Sequence, residues 1–148
     1  VTVKNRIIYR EAPLAGPVKP GDLLLVRLTA AGSKDWRYLM LEDPIPAGTE
    51  PIQRDDLYAL EKGGTDWWGS RREYRDSRVV FFQENFETGR YEYTYLLKVI
   101  APGAFRSSPA RISAMYVPDG SASSAAGTLT VESSDTTAAT TQAKGGRQ

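Results

Sequence analysis

The residues best suited to chemistry in this chain are gathered in one stretch, "GGTDWWGSRREYRD" (63–76). It holds the adjacent Trp67 and Trp68, then Arg71, Arg72, Tyr74 and Arg75, with Asp66, Glu73 and Asp76 between them. Indole and phenol rings beside guanidinium groups bind through burial, stacking and cation–π attraction. They are also the side chains that most often anchor protein interfaces. Trp67, Trp68, Arg72 and Tyr74 are therefore the candidate interface residues. Two other uses of the stretch remain open: one Trp fills the core while the charges form a solvated hairpin, or the indoles stack on a glycan or other small ligand.

Catalysis has few other footholds. The chain has no histidine and no cysteine. That removes Ser-His-Asp and Cys-His nucleophile pairs, thiolate metal sites, disulfides and the commonest metal ligand. Carboxylates are plentiful, but no spacing singles out a general acid and base. The expectation is a non-enzyme without metal or cofactor. The formal net charge of +1, from 19 basic and 18 acidic side chains, gives no general pull toward nucleic acid or lipid headgroups. No apolar run approaches the ~20 residues that a membrane-spanning helix needs. The chain opens "VTVKNRIIYR", without an initiator Met and without the pattern of a signal peptide, which suggests a cut fragment or a mature form.

The elements that must position these residues read as β-structure. In "RYEYTYLLKVI" (90–100), Tyr91, Tyr93, Tyr95, Leu97 and Val99 share one face by period two, with Glu92, Thr94 and Lys98 on the other. Further strands are expected at 3–10, 21–30, 37–44, 77–82, 110–117 and 127–132. Gly and Pro punctuate them, as in an antiparallel sandwich. "RDDLYALEK" (54–62) reads as one short helix capped by Asp55. "GSASSAAG" (120–127) reads as a mobile loop. Residues 133–148 carry no large apolar side chain and read as a disordered tail, which leaves 1–132 as the domain.

"LEDPIPAGTEPI" (41–52), "YEYTYLLKVIAPGAFRSSPARISAMYVPD" (91–119) and a last strand "GTLTV" together carry a resemblance. The ordered set Asp-Pro-x-Pro-Ala-Gly, an alternating aromatic strand, Ala-Pro-Gly-x-Phe, Pro-Ala and Met-Tyr-x-Pro resembles the C-terminal macroglobulin-like domain of bacterial α2-macroglobulins. Each piece is weak alone; in order they cover roughly 1–132. The resemblance implies an all-β, antiparallel macroglobulin-like β-sandwich of about seven to nine strands with at most one short helix. It implies a domain of a large protease-trapping inhibitor of the cell envelope, periplasmic or with its parent anchored in the inner membrane. Implied partners are the neighbouring domains of the parent, envelope proteins and, through the parent, target proteases. In members with a thioester, aromatic residues shield that bond, and the terminal domain contributes a loop that packs near it. This chain lacks the cysteine that a thioester requires.

On this reading the motifs have structural work. Pro44 and Pro46 hold Asp43 and Ile45 extended and Gly48 permits a bend. "APGAF" turns the chain and feeds Phe105 toward the core. "MYVP" seats Met115 or Tyr116 against the sheet, or offers them to another domain. The competing reading is a free-standing sandwich that binds, as an adhesin or carbohydrate module does.

Overall fold

A computed structural model of the chain describes residues 7–54, 58–60 and 70–133. Within them are twelve strands: β1 (Ile7–Tyr9), β2 (Leu23–Gly32), β3 (Trp36–Pro44), β4 (Thr49–Pro51), β5 (Tyr58–Leu60), β6 (Ser70–Arg75), β7 (Arg78–Phe86), β8 (Gly89–Val99), β9 (Gly103–Ser107), β10 (Arg111–Ala114), β11 (Ser121–Ser123) and β12 (Gly127–Val131). The seven long runs of alternating or β-branched residues all contain a strand. The count exceeds the expected seven to nine because short strands with little pattern of their own, such as β4 and β11, pair with the strands beside them.

The two main layers are a five-stranded sheet ordered β11-β10-β3-β7-β6 and a three-stranded sheet ordered β2-β8-β4, all antiparallel. The pair β12-β9 adds a smaller antiparallel flap. β1 and β5 run parallel. That pairing corrects the helix expected at 54–62: Tyr58–Leu60 is extended, because β1 supplies a ladder that the local sequence cannot reveal. Likewise 120–127 is not all loop, since Ser121–Ser123 pairs with β10. Of the expected tail at 133–148, residues 134–148 lie outside the described residues.

The core lies where the layers face each other. Leu41, Val79 and Phe81 of the large sheet meet Tyr93, Tyr95 and Leu97 of β8. Tyr95 and Leu97 are 2% exposed and Val79 0%, so period two assigned this face correctly. The rings of Phe81 and Tyr93 lie 5.2 Å apart. The two buried phenols of β8 each have a polar partner: the Tyr95 hydroxyl donates to Asp43 Oδ2 (2.6 Å) and the Tyr93 hydroxyl to Gln83 Oε1 (3.3 Å). A buried hydroxyl without a partner would cost about 1–3 kcal/mol, so Asp43 and Gln83 are what allow tyrosine here. Burial raises both phenol pKa values, and for Tyr95 the Asp43 carboxylate raises it further. Alternation alone misses Leu96, which points to the opposite face and is nonetheless 4% exposed.

The two proline-glycine motifs act on each other. Gly48 has φ +79°, and a Cβ there would stand 2.3 Å from the Phe105 ring. The Gly48 carbonyl accepts from the Ile100 amide (2.8 Å), just before "APGAF". Phe105 packs against Val18, Val99, Leu129 and Val131 as expected. "DPIPAG" and "APGAF" are thus two halves of one contact, with the glycine leaving room for the ring.

Candidate interaction surface

The large sheet has an outer face, and its register decides what lies there. Alternation in β6 turns Arg72 and Tyr74 inward, opposite Phe81 and Val79, and turns Arg71 and Glu73 outward, opposite Phe82 and Val80. Tyr74 accordingly packs against the Leu41–Tyr95 cluster. Arg72 Nη1 donates to the Thr94 carbonyl across the sandwich (3.0 Å), and its guanidinium lies 5.2 Å from the Tyr74 ring. Thr94 lies beyond the end of β4, which covers β8 only over Leu97–Val99, so its carbonyl is open to this bond. Two of the four candidate interface residues therefore face the space between the sheets. Trp67 and Trp68 lie outside the described residues.

Among the described residues, the exposed aromatic surface comes from another part of the sequence. β10 stops at Ala114, and the Met115 amide makes a last hydrogen bond to the Tyr38 carbonyl (2.9 Å). The chain then turns over "MYVPDG", closed by the Gly120 amide on Val117 O (3.3 Å) and the Ala114 amide on Gly120 O (2.7 Å). The turn lifts its side chains off the sheet. Met115 and Val117 are each 48% exposed and Tyr116 is 75% exposed. This corrects the expectation that Met115 or Tyr116 seats against the sheet: the strand ends one residue before them, so neither has a sheet neighbour to bury it.

Tyr38 joins this patch. Its ring meets that of Tyr116 edge-on, with centroids 5.4 Å apart. Among the described residues it is the single non-glycine with a positive φ, +55°. That conformation is costly for a side chain this large, and such strain gathers where surfaces do work. A 410 Å³ hollow follows, lined by Tyr38, Leu39, Arg71, Phe82, Gln83 and Met115 among others. The Arg71 guanidinium lies over the Phe82 ring at 5.7 Å and is paired with Glu73, whose carboxyl it holds below the usual range. Ser70, the first described residue after the tryptophan stretch, pairs with Gln83 on the same hollow.

Tyrosine, methionine, arginine and phenylalanine around an exposed hollow are residue types enriched at protein interfaces. Among the described residues no three His, Cys, Asp or Glu side chains gather to hold a metal. Sequence reasoning missed Tyr38, because nothing in "DWRYLML" marks a left-handed residue. The turn residues Pro118, Asp119 and Gly120 were the one signal that Met115–Val117 leave the sheet.

Comparison with known proteins agrees with this architecture. The chain is similar to the alpha-2-macroglobulin homolog of a Nostoc species, 30% identical over 86 residues that cover 55% of this chain and 4% of the relative. It is similar to the alpha-2-macroglobulin of Xylella fastidiosa, 26% identical over 121 residues that cover 70% of this chain and 7% of the relative. It superposes with TM-score 0.66 and 26% identity on the crystal structure of native alpha-2-macroglobulin from Escherichia coli spanning domain MG7 to the C-terminus, covering 77% of this chain and 20% of that one. The chain thus spans only a small fraction of the curated relatives it matches. Residues 2–119 match the model of the bacterial alpha-2-macroglobulin MG10 domain. About four-fifths of the chain fits that model, and the chain belongs to the bacterial alpha-2-macroglobulin MG10 domain family.

Proposed function

We propose that this chain is a non-catalytic domain of a protease-trapping inhibitor in the bacterial cell envelope, and that it docks on a neighbouring domain of its parent through the Tyr38–Tyr116 face. One observation carries the docking reading: Tyr38, Met115, Tyr116 and Val117 form a contiguous apolar surface, between 41% and 75% exposed, on a domain whose family forms one part of a much longer chain. An isolated domain gains nothing from leaving so much apolar surface in water. Trp67 and Trp68 belong to the same proposal as a second contact, in the stretch leading to Ser70. Residues 133–148 serve as a linker or tail outside the domain. The periplasm is the compartment this reading requires.

The test uses the longer parent chain, with Tyr116→Glu and Met115→Glu placed together. Limited proteolysis and small-angle scattering read whether the domain stays docked, and residual protease activity reads trapping. The expected result is a loosened, protease-sensitive parent with weaker trapping, while the isolated 148-residue chain melts as before. A parent that keeps its shape and its trapping with both charges in place overturns the docking reading.

A further inference from the structure

A cavity of 920 Å³ opens between the layers beneath the segment Arg10–Val18. Its walls are apolar, with Leu24, Val26, Pro44, Pro46, Leu97 and Leu129 among them. Asp43 lines the same cavity, 7% exposed, on the inward face of β3. Its Oδ2 is taken by the Tyr95 hydroxyl at 2.6 Å. Among the described residues, Tyr95 is the carboxyl's hydrogen-bond partner and no Lys or Arg forms an ion pair with it. The other ionisable lining residues are Tyr95, Arg10 and Glu11; the last two are exposed, and Glu11 is held by Arg27 at 2.5 and 2.7 Å. Among the described residues, the Asp43 carboxylate is therefore nearly buried with one neutral donor and no ion-pair partner. Burial raises the Asp43 pKa above the ordinary carboxylate value, against the pull of the Tyr95 hydrogen bond. A buried carboxylate left in that state is costly, and a cation brought to it relieves the cost.

We propose that the cavity beside Asp43 binds a primary ammonium group carried on an aliphatic stem, the chemistry shared by a free alkylamine and by a lysine side chain of another polypeptide. The stem lies along the leucine and proline walls, and the ammonium meets the Asp43 oxygen that Tyr95 leaves open. The Tyr95 oxygen, which donates its own proton to Asp43, has lone pairs for a second ammonium hydrogen. A guanidinium fits less well. Its planar fork needs both carboxylate oxygens, and one is already taken. The site thus favours a compact point charge over arginine.

The test is a titration of the 148-residue chain followed by NMR at the Asp43 carboxyl carbon and the Leu24 and Leu97 methyls. The probes are n-butylammonium, a blocked lysine peptide, the matching arginine peptide and neutral n-butanol. Saturable shifts with the two ammonium probes are expected, at least about tenfold weaker for the arginine peptide and for n-butanol. Equal affinity of the two ammonium probes assigns the site to small amines, and tighter binding of the peptide assigns it to a lysine of a partner chain; either supports the proposal. Binding must weaken as acid protonates Asp43, and must be lost in Asp43→Asn, whose distant signals report an intact fold. Should that variant unfold, the pH arm on the unaltered chain decides alone. Butanol binding as well as the amine, unaltered binding in Asp43→Asn, affinity that ignores pH, or no saturable shift overturns the proposal.

Discussion

Tyr95 and Tyr116 are the same residue in opposite surroundings. Tyr95 is 2% exposed between two sheets, its ring against Phe81 at 6.3 Å and its hydroxyl on Asp43. Tyr116 is 75% exposed on a turn and touches one other exposed tyrosine. The first sits mid-strand, where alternation gives it a facing layer. The second sits one turn past a strand end, where no layer follows. Aromatic content alone therefore says little about a tyrosine's role; its distance from the strand end says more. The buried tyrosine holds the sandwich together, and the exposed one is available to a partner.

The sharpest break of this comparison is Tyr95→Ala. It removes a filled core position and leaves Asp43 without its donor, so we expect a loss of about 3–5 kcal/mol in denaturant unfolding. A loss below about 1 kcal/mol would mean that the layers do not close around this ring. Gly48→Ala comes next, at about 2–3 kcal/mol, since it combines a positive φ with a Cβ inside the Phe105 ring's space. Adding Phe105→Ala should recover part of that loss in a double-mutant cycle; strictly additive losses would separate the two motifs.

A third test concerns charge. In the folded chain the Asp43 pKa is raised above its unfolded value, so the folded state holds that proton more tightly. Stability from this group is full below the unfolded value, about 3.9, and falls as pH rises through the higher folded value. Glu11, lowered by the Arg27 hydrogen bond, and Asp35, lowered by the Thr88 amide, have the opposite sign but are shared by both proteins. The stability of wild type minus that of Asp43→Asn should therefore decline as pH rises from about 4 toward neutrality. A flat difference would mean that Asp43 is not desolvated. The smallest effect belongs to the exposed partner of the comparison. Tyr116→Ala should shift isolated-chain stability by no more than about 0.5 kcal/mol, measured by thermal melting. A cooperative loss would place Tyr116 in the core.

Much of the fold was legible because a half-buried strand writes its own period. β8 was readable in this way, β2, β3 and β7 as β-rich or apolar runs bounded by turn residues, and the Pro44–Gly48 exit from φ restrictions that act within one or two residues. The candidate surface was less legible. Arg72 and Tyr74 stood out by residue type, yet their facing depends on which residue of β6 pairs with Phe81, a register that short strands of mixed charge do not reveal. Tyr58–Leu60 carried helix-compatible residues and became a strand because β1 lies beside it.

By itself, then, the sequence determined the all-β class, the inward face of β8, the rigid exit after β3 and, through the absence of histidine and cysteine, which chemistries are closed to the chain. These follow from covalent geometry, side-chain periodicity and residue inventory, all local properties. Tertiary structure alone decided that Phe105 rests on Gly48, that Leu96 is buried against its own pattern, that Tyr38 adopts φ +55° beside Tyr116, and that Asp43 shares a cavity with Tyr95. Each of these joins residues far apart in the chain, and such contacts are settled only when whole sheets pack and side chains compete for the same volume.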